Sequence, residues 1–295
     1  MITDSRTRFP GLPVERACAL LGVNRGSFYR TAPGRDEAAG ATALVTPGEP
    51  GAMALRIAIE SVVLTFPGYG YRRVTRHLQR EGWTVNHKRV LKVMRQESLL
   101  CQLKRRWVKT TDSEHGLRVY PNLLRNARPA GLDQVWVADI TYVRLLEQFV
   151  YLATLMDAFS RRVVGWCLSR EIDRHLVLTA LERALATRQP SAAWIHHSDQ
   201  GVQYVCSAYA QRLLSAGARI SMAAKGTPLQ NAQAERFFRT LKQEEVYLHD
   251  YQTFAEAEAS IGRFIEAVYN QKRLHSALGY RPPAEFEQLF LNGTL

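Results

Sequence analysis

Val135-Trp136-Val137-Ala138-Asp139-Ile140-Thr141-Tyr142-Val143 is dominated by β-branched and aromatic residues and reads as a strand. Asp139 is out of place in it, because Asp disfavours strands. Two more strands follow, Phe149 to Met156 and Arg162 to Leu168. The links between them, Glu147-Gln148 and Asp157 to Arg161, are short, so the three should be antiparallel neighbours. Asp173 then opens a helix through Arg188, with Leu176, Leu181 and Leu185 on one face. Ala193-Trp194-Ile195-His196-His197 is a short fourth strand, Ser207 to Ala216 a helix, Arg219 to Met222 a fifth strand, and Asn231 starts a long helix. The order βββαβαβα gives residues 131–295 an α/β fold on a mixed five-stranded sheet.

The sequence before this domain is of another kind. Residues 54–100 read as helices, with Leu55, Ile59, Val62 and Val63 at helical spacing. The turn Pro67-Gly68-Tyr69-Gly70 leads into a helix carrying Arg72, Arg73, Val74 and Leu78, which Gly82 ends. Asn86 caps the next helix, where Lys88, Arg89, Lys92 and Arg95 line the polar side opposite Val90, Val93 and Met94. Helix, turn and basic helix suit insertion into a DNA groove; a small bundle with a charged solvent face is the plainer alternative. The basic run Lys104-Arg105-Arg106-Trp107-Val108-Lys109 either follows a DNA backbone or is a charged linker. Residues 14–30 are also helix-turn-helix-like, and 31–53, rich in Ala, Gly, Pro and Thr, read as a linker. The expected domains are therefore 1–53, a basic helical DNA-binding domain over 54–110, and the α/β domain over 131–295 with a C-terminal helical extension.

Charge favours the DNA reading. Of 39 Lys and Arg, 22 lie in residues 1–130 against 10 Asp and Glu, whereas residues 131–295 hold 17 of each. The whole excess of +12 thus sits in the helical part, a nucleic-acid footprint. No apolar run approaches the ~20 residues of a membrane span. Asp4, Arg6 and Arg8 have no apolar stretch behind them, so the N-terminus does not read as a secretory signal. Cys18, Cys101, Cys167 and Cys206 are far apart and form no CxxC pair, which argues against a zinc site or a disulfide framework and for a cytoplasmic setting.

Three carboxylates stand out by position. Asp139 is in the first strand, Asp199 directly follows the fourth, and Glu235 lies on the helix after the loop Lys225-Gly226-Thr227-Pro228. If the first and fourth strands are sheet neighbours and that helix packs beside their ends, the three can converge. Such a cluster suits phosphodiester chemistry: two hard cations ~3.5–4 Å apart activate the attacking oxygen and stabilise the leaving one. All-oxygen ligands suit Mg2+, or Mn2+ in its place. Glu235, Arg239 and Lys242 share one helix face. They fit either an ordinary surface ion pair or a carboxylate on metal with its cations on DNA phosphates. Asp157, in a turn, reads as a hydrogen-bonded cap, and His196 and His197 as packed side chains rather than metal ligands.

The segments RACALLGVNRGSFYR, GYGYRRVTRHLQREGWTVNHKRVLKVM, DQVWVADITYV, DAFSRRVVGW, HHSDQGVQY, NAQAERFFRTLKQEEV and YNQKRLHSALGYRPP together resemble the catalytic, OrfB subunit of IS-three-family insertion-sequence transposases, in the retroviral-integrase superfamily. The resemblance covers nearly the whole chain in the family's order. It implies an RNase H-like catalytic domain preceded by an all-α, helix-turn-helix-type DNA-binding region. It assigns the metal-binding catalytic triad to Asp139, Asp199 and Glu235, with 35 residues between the last two. It implies cleavage of the element's terminal inverted repeats and joining to target DNA, with Mg2+ or Mn2+, two ions, as cofactor. It also implies a homo-oligomer on DNA and a bacterial cytoplasmic location. It implies too an upstream-frame OrfA segment, as partner or fusion, that carries a dimerisation element; no sustained heptad pattern appears in this sequence. The expected DNA contacts are Arg72, Arg73, Lys88, Arg89, Lys92, Arg105, Arg106, Lys225, Arg239 and Lys242. A nuclease of the same superfamily that does not join strands, and a non-enzymatic DNA-binding descendant, are the alternatives. Tyr280-Arg281-Pro282-Pro283 is expected to terminate the C-terminal helix and pack against the core.

Overall fold

Strand β1, Val135–Arg144, is the middle of a five-stranded sheet. A computed structural model describes residues 51–101, 119–124, 129–191, 193–224 and 231–295, all within one unit, Pro50–Leu295. The helix-turn-helix-like segment at 14–30, most of the linker, the basic run with Arg105 and Arg106, and Lys225 lie outside the described residues.

β1 pairs antiparallel with β2, Phe149–Asp157, and β2 with β3, Val163–Ser169. On its other side β1 pairs in parallel with β4, Ile195–Ser198, and β4 with β5, Arg219–Met222, in the order β3-β2-β1-β4-β5. The sheet is the mixed one expected, with the first and fourth strands adjacent.

Alternation along β1 sorts its side chains between two layers. Trp136 and Ala138 pack with Leu176, Ala180 and Leu181 of α4, Arg174–Thr187, and with Tyr209 and Leu213 of α6, Ser207–Ser215; the four-residue α5, Val202–Val205, lies between β4 and α6. Val135 and Val137 pack with Phe237, Phe238 and Leu241 of α7, Ala232–Glu244, and with Ile261 of α8, Phe254–Arg263, which continues as a π-helix through Tyr269. The α4 layer packs close on one glycine: a Cβ added to Gly165 of β3 would run into the Ala180 carbonyl oxygen and come within 2.7 Å of Ala184 Cβ.

Helices α1, Ala52–Thr65, α2, Tyr71–Arg80, and α3, His87–Gln96, form the helical unit around Leu55, Ile59, Val74, Leu78, Val90 and Met94. Gly82 has φ 89° at the end of α2, and the Asn86 side chain accepts from Arg89 N–H at the start of α3, as the sequence suggests. Leu274 completes this cluster from the C-terminal segment, and its N–H donates to the Tyr69 hydroxyl at 2.7 Å.

The expected end of the C-terminal helix needs correcting. Pro283 does not terminate a helix; it starts the last one, α9, Pro283–Leu291. Proline is tolerated there, because the first N–H groups of a helix have no partner in any case. The expected packing does hold for the two prolines, since Pro282 and Pro283 are buried; the helix they start docks through buried Glu287, which accepts from Ser160, Arg162 and Arg188, and through Phe286 and Phe290 on Phe159.

Candidate active site

The β1–β4 register pairs Val135 with Ile195 and Val137 with His197. Two residues further on, the same register sets Asp139 level with Asp199, just past the end of β4. Both carboxylates line a cavity of about 300 Å³ together with Tyr142, Gln203 and Tyr204. One Asp139 oxygen accepts from the N–H of Ile140 at 2.8 Å, and one Asp199 oxygen from the N–H of Gly201 at 3.0 Å. Enclosure in the cavity wall holds the Asp139 carboxyl well above the usual carboxylate range, and the negative charges of Asp199 and Glu235 add to that.

Glu235 arrives from the other layer. By alternation Asp139 faces the side of the sheet where Val137 meets α7. Buried Asn231 ties the start of α7 to β1, its side-chain N–H donating to the Ala138 carbonyl at 3.1 Å. Glu235 sits one turn later, exposed in the first turn of the helix; what burial its carboxyl has raises its pKa. It does not line the cavity, and among the described residues no three His, Cys, Asp or Glu side chains are gathered closely enough to hold a metal ion. The donor set nonetheless fits a hard divalent cation. It is all carboxylate, and two of its members repel one another in an enclosed site, a strain that a cation relieves.

Lys242, two turns beyond Glu235, turns toward the cavity. Its Nζ lies 4.2 Å from the centroid of the Tyr142 ring. Burial lowers its pKa, and the Asp139 charge opposes that shift. Arg239 on the same helix is exposed. In the helical unit Arg72, Lys88 and Lys92 are exposed and Arg89 is partly buried. Arg73 is drawn inward, its guanidinium 5.8 Å from the Tyr69 ring centroid.

Asp157 and the two histidines before Asp199 are tied into the interior by hydrogen bonds. Asp157 is wholly buried and accepts N–H bonds from Asp133, Phe159 and Ser160, the cap its turn position suggests. His196 bonds the Tyr209 hydroxyl at 2.9 Å and His197 the Ser221 hydroxyl at 2.8 Å. Asn231 is the site-building residue that sequence reasoning missed. An Asn just before a helix signals a cap, whereas this side chain reaches across to β1.

Residues 130–228 and 216–283 match integrase core domain families, and residues 52–107 match an HTH-like domain family. The chain is 37% identical over 221 residues to the transposase for insertion sequence element IS904 of Lactococcus lactis, covering 75% of this chain and 87% of that protein. It is 38% identical over 222 residues to the transposase for IS629 of Shigella sonnei, 75% and 74% of the two chains. To transposase InsF for IS3A of Escherichia coli K12 it is 36% identical over 220 residues, 74% and 76%. The chain belongs to the IS3 family of insertion-sequence transposases. It is a polynucleotidyl transferase with an integrase-type core and an HTH-like helical region, and metal-dependent cleavage and strand transfer is the general activity of such transposases. No helix among the described residues is long and apolar enough to cross a membrane.

Proposed function

We propose that Asp139, Asp199 and Glu235 are the catalytic, metal-binding residues of this IS3-family transposase. The observation that carries the proposal is the β1–β4 register, which sets Asp139 and Asp199 level on one cavity. Asn231 holds the start of α7 on β1, so that Glu235 offers the third carboxylate from its first turn. Bound Mg2+ or Mn2+, in two ions, supplies Lewis-acid activation of the attacking oxygen and charge stabilisation of the leaving one. The chain's own part is to fix the carboxylates and to position DNA. In cleavage, water attacks the phosphorus at an element end and the strand's 3′-oxygen leaves as a hydroxyl. In joining, that hydroxyl attacks a target phosphodiester and displaces the target's 3′-oxygen.

In this reading residues 54–110 grip DNA through Arg72, Lys88, Arg89, Lys92, Arg105 and Arg106, residues 1–53 add a second helix-turn-helix-like segment, and residues 131–295 carry the chemistry. Arg73, Lys225, Arg239 and Lys242 add phosphate contacts. The substrates are the element's terminal inverted repeats and target DNA. An OrfA segment and a second copy of the chain join the complex, which works on bacterial DNA in the cytoplasm. The decisive experiment is Asp199→Asn, which keeps the shape and removes the charge. Cleavage of end DNA and strand transfer of pre-cleaved ends should both vanish while DNA binding persists. Near wild-type cutting by the variant refutes the assignment, and cleavage without joining by the wild type marks a nuclease instead.

A further inference from the structure

The proposed chemistry uses Asp139 and Asp199 and leaves the rest of their cavity without a role. The β1–β2 register builds that remainder. It sets Tyr142 directly opposite Tyr151, and Arg144 directly opposite Phe149. Side chains directly opposite in an antiparallel pair share one face of the sheet. Three aromatic rings and an arginine therefore form one patch at the end of the β1–β2 ribbon. All three rings line the cavity, as does Ile172, just ahead of α4. Leaving large apolar side chains in water is costly, yet Phe149 is 50% exposed and Ile172 44%. The Tyr142 and Phe149 rings stand at 81° with centroids 5.5 Å apart. A flat ligand in such a corner lies on one ring and meets the edge of the other. Arg144 is exposed beside Phe149, and the Lys242 ammonium lies against Tyr142.

What the carboxylates are proposed to hold decides the occupant. The 3′-hydroxyl that attacks target DNA has to lie at Asp139 and Asp199, and the base of that nucleotide is one sugar away from it. Aromatic faces hold unpaired bases of any sequence by stacking, and neighbouring cations hold the strand's phosphates. A cavity of about 300 Å³ is in the range of small-ligand sites. The end nucleotide has a stacking neighbour on one side only, so it leaves the duplex at less cost than an internal one.

We propose that this aromatic corner takes the unstacked terminal base of the strand whose 3′-hydroxyl is joined, with Phe149 as its stacking face and Arg144 on a phosphate of the same DNA end. The inference rests on the reading that Asp139 and Asp199 carry the chemistry, and adds a base-binding subsite beside them. The test uses the full chain and two pre-cleaved element-end duplexes, one intact and one lacking only that terminal base. Affinity is measured in EDTA, and joining of the intact duplex in Mg2+. Wild type should bind the abasic duplex roughly tenfold more weakly than the intact one. Phe149→Ala should bind the intact duplex about as weakly as wild type binds the abasic one, and should no longer distinguish the two. Phe149→Trp keeps an aromatic face and should keep the discrimination. Phe149→Leu stays apolar without such a face and should lose it; this variant decides the matter if Phe149→Ala fails to fold. Arg144→Gln should keep the discrimination and lower the salt slope by roughly one. Equal wild-type affinity for the two duplexes overturns the proposal, as does an abasic penalty of undiminished size in Phe149→Ala or Phe149→Leu. A wild-type chain that joins the intact end without discriminating refutes this inference alone. One that joins no end refutes the transposase reading, and this inference with it.

Discussion

Asp139 shows how a site can be costly to its own fold. Its carboxyl is held above the ordinary value of 3.8 by enclosure and by the charge of Asp199. For such a group the folded state keeps its proton while the unfolded state gives it up. Its effect on stability is therefore neutral below about pH 3.8 and increasingly unfavourable as pH rises toward the folded pKa. Asp139→Asn should abolish cleavage yet raise the unfolding temperature of metal-free protein at neutral pH. A drop in that temperature, measured by calorimetry in EDTA, would show that the carboxylate is held by favourable partners instead. Lys242 makes the neighbouring case. The sequence places it on the polar face of α7, where Lys242→Ala should barely affect stability, but its Nζ sits over Tyr142 at the cavity. The variant should therefore lose strand transfer and end binding, and also about 0.5–1 kcal/mol of stability, which denaturant titration can check. Residue chemistry was legible in the sequence only in part. An i, i+4 Glu–Arg pair is common on helices, so the position of Glu235 left an ordinary surface pair and a metal ligand both open until the family pattern was added, and a side chain bonding across to another strand, as Asn231 does, leaves no periodic trace.

At the scale of elements the sequence spoke more clearly. The five strands and the Asn86 cap follow from β-branched runs, short turns and a capping residue, while the β1–β4 adjacency goes with the βββαβαβα order. What it hid were the four residues of α5, too few to show a period, and the helix beginning at Pro283, because proline starts a helix as readily as it stops one. Contacts between elements were not legible either, and two of them make predictions. Gly165→Ala sets a methyl against the Ala180 carbonyl and should cost ~1–3 kcal/mol through displaced packing of α4 on β3. An unchanged chemical denaturation midpoint would mean that the strand and helix separate freely. Asn231→Ala frees the Ala138 carbonyl and loosens α7 beside Asp139. A loss of ~1–3 kcal/mol is expected for the unsatisfied buried group, and turnover should fall more than DNA affinity. Loss of DNA binding with full turnover of bound substrate would contradict a positioning role for Asn231.

The whole molecule couples its parts through charge. The helical unit leans on the C-terminal segment through Tyr69–Leu274 and through an Arg80–Glu285 ion pair, so its stability is not that of a free fragment. Acid should report this wider balance. His196 is buried neutral, with burial first and His197 second pushing its pKa down to about 3, and His275 is depressed to about 2. Both take up protons on unfolding, so their contribution is present above the ordinary 6.5 and is lost as pH falls through the window below it. Asp139 acts in the opposite sense, because its raised pKa makes the folded state the proton-rich one from 3.8 upward. Over the shared window the histidines tilt stability upward with pH and Asp139 flattens that tilt. Removing Asp139 alone should therefore steepen the curve: metal-free Asp139→Asn should gain stability faster than wild type between about pH 4 and 6.5. The check is the unfolding free energy of both proteins at matched ionic strength across that range. Parallel curves would mean that Asp139 titrates alike in the folded and unfolded chains, and would remove the electrostatic basis for placing it beside Asp199 in an enclosed site.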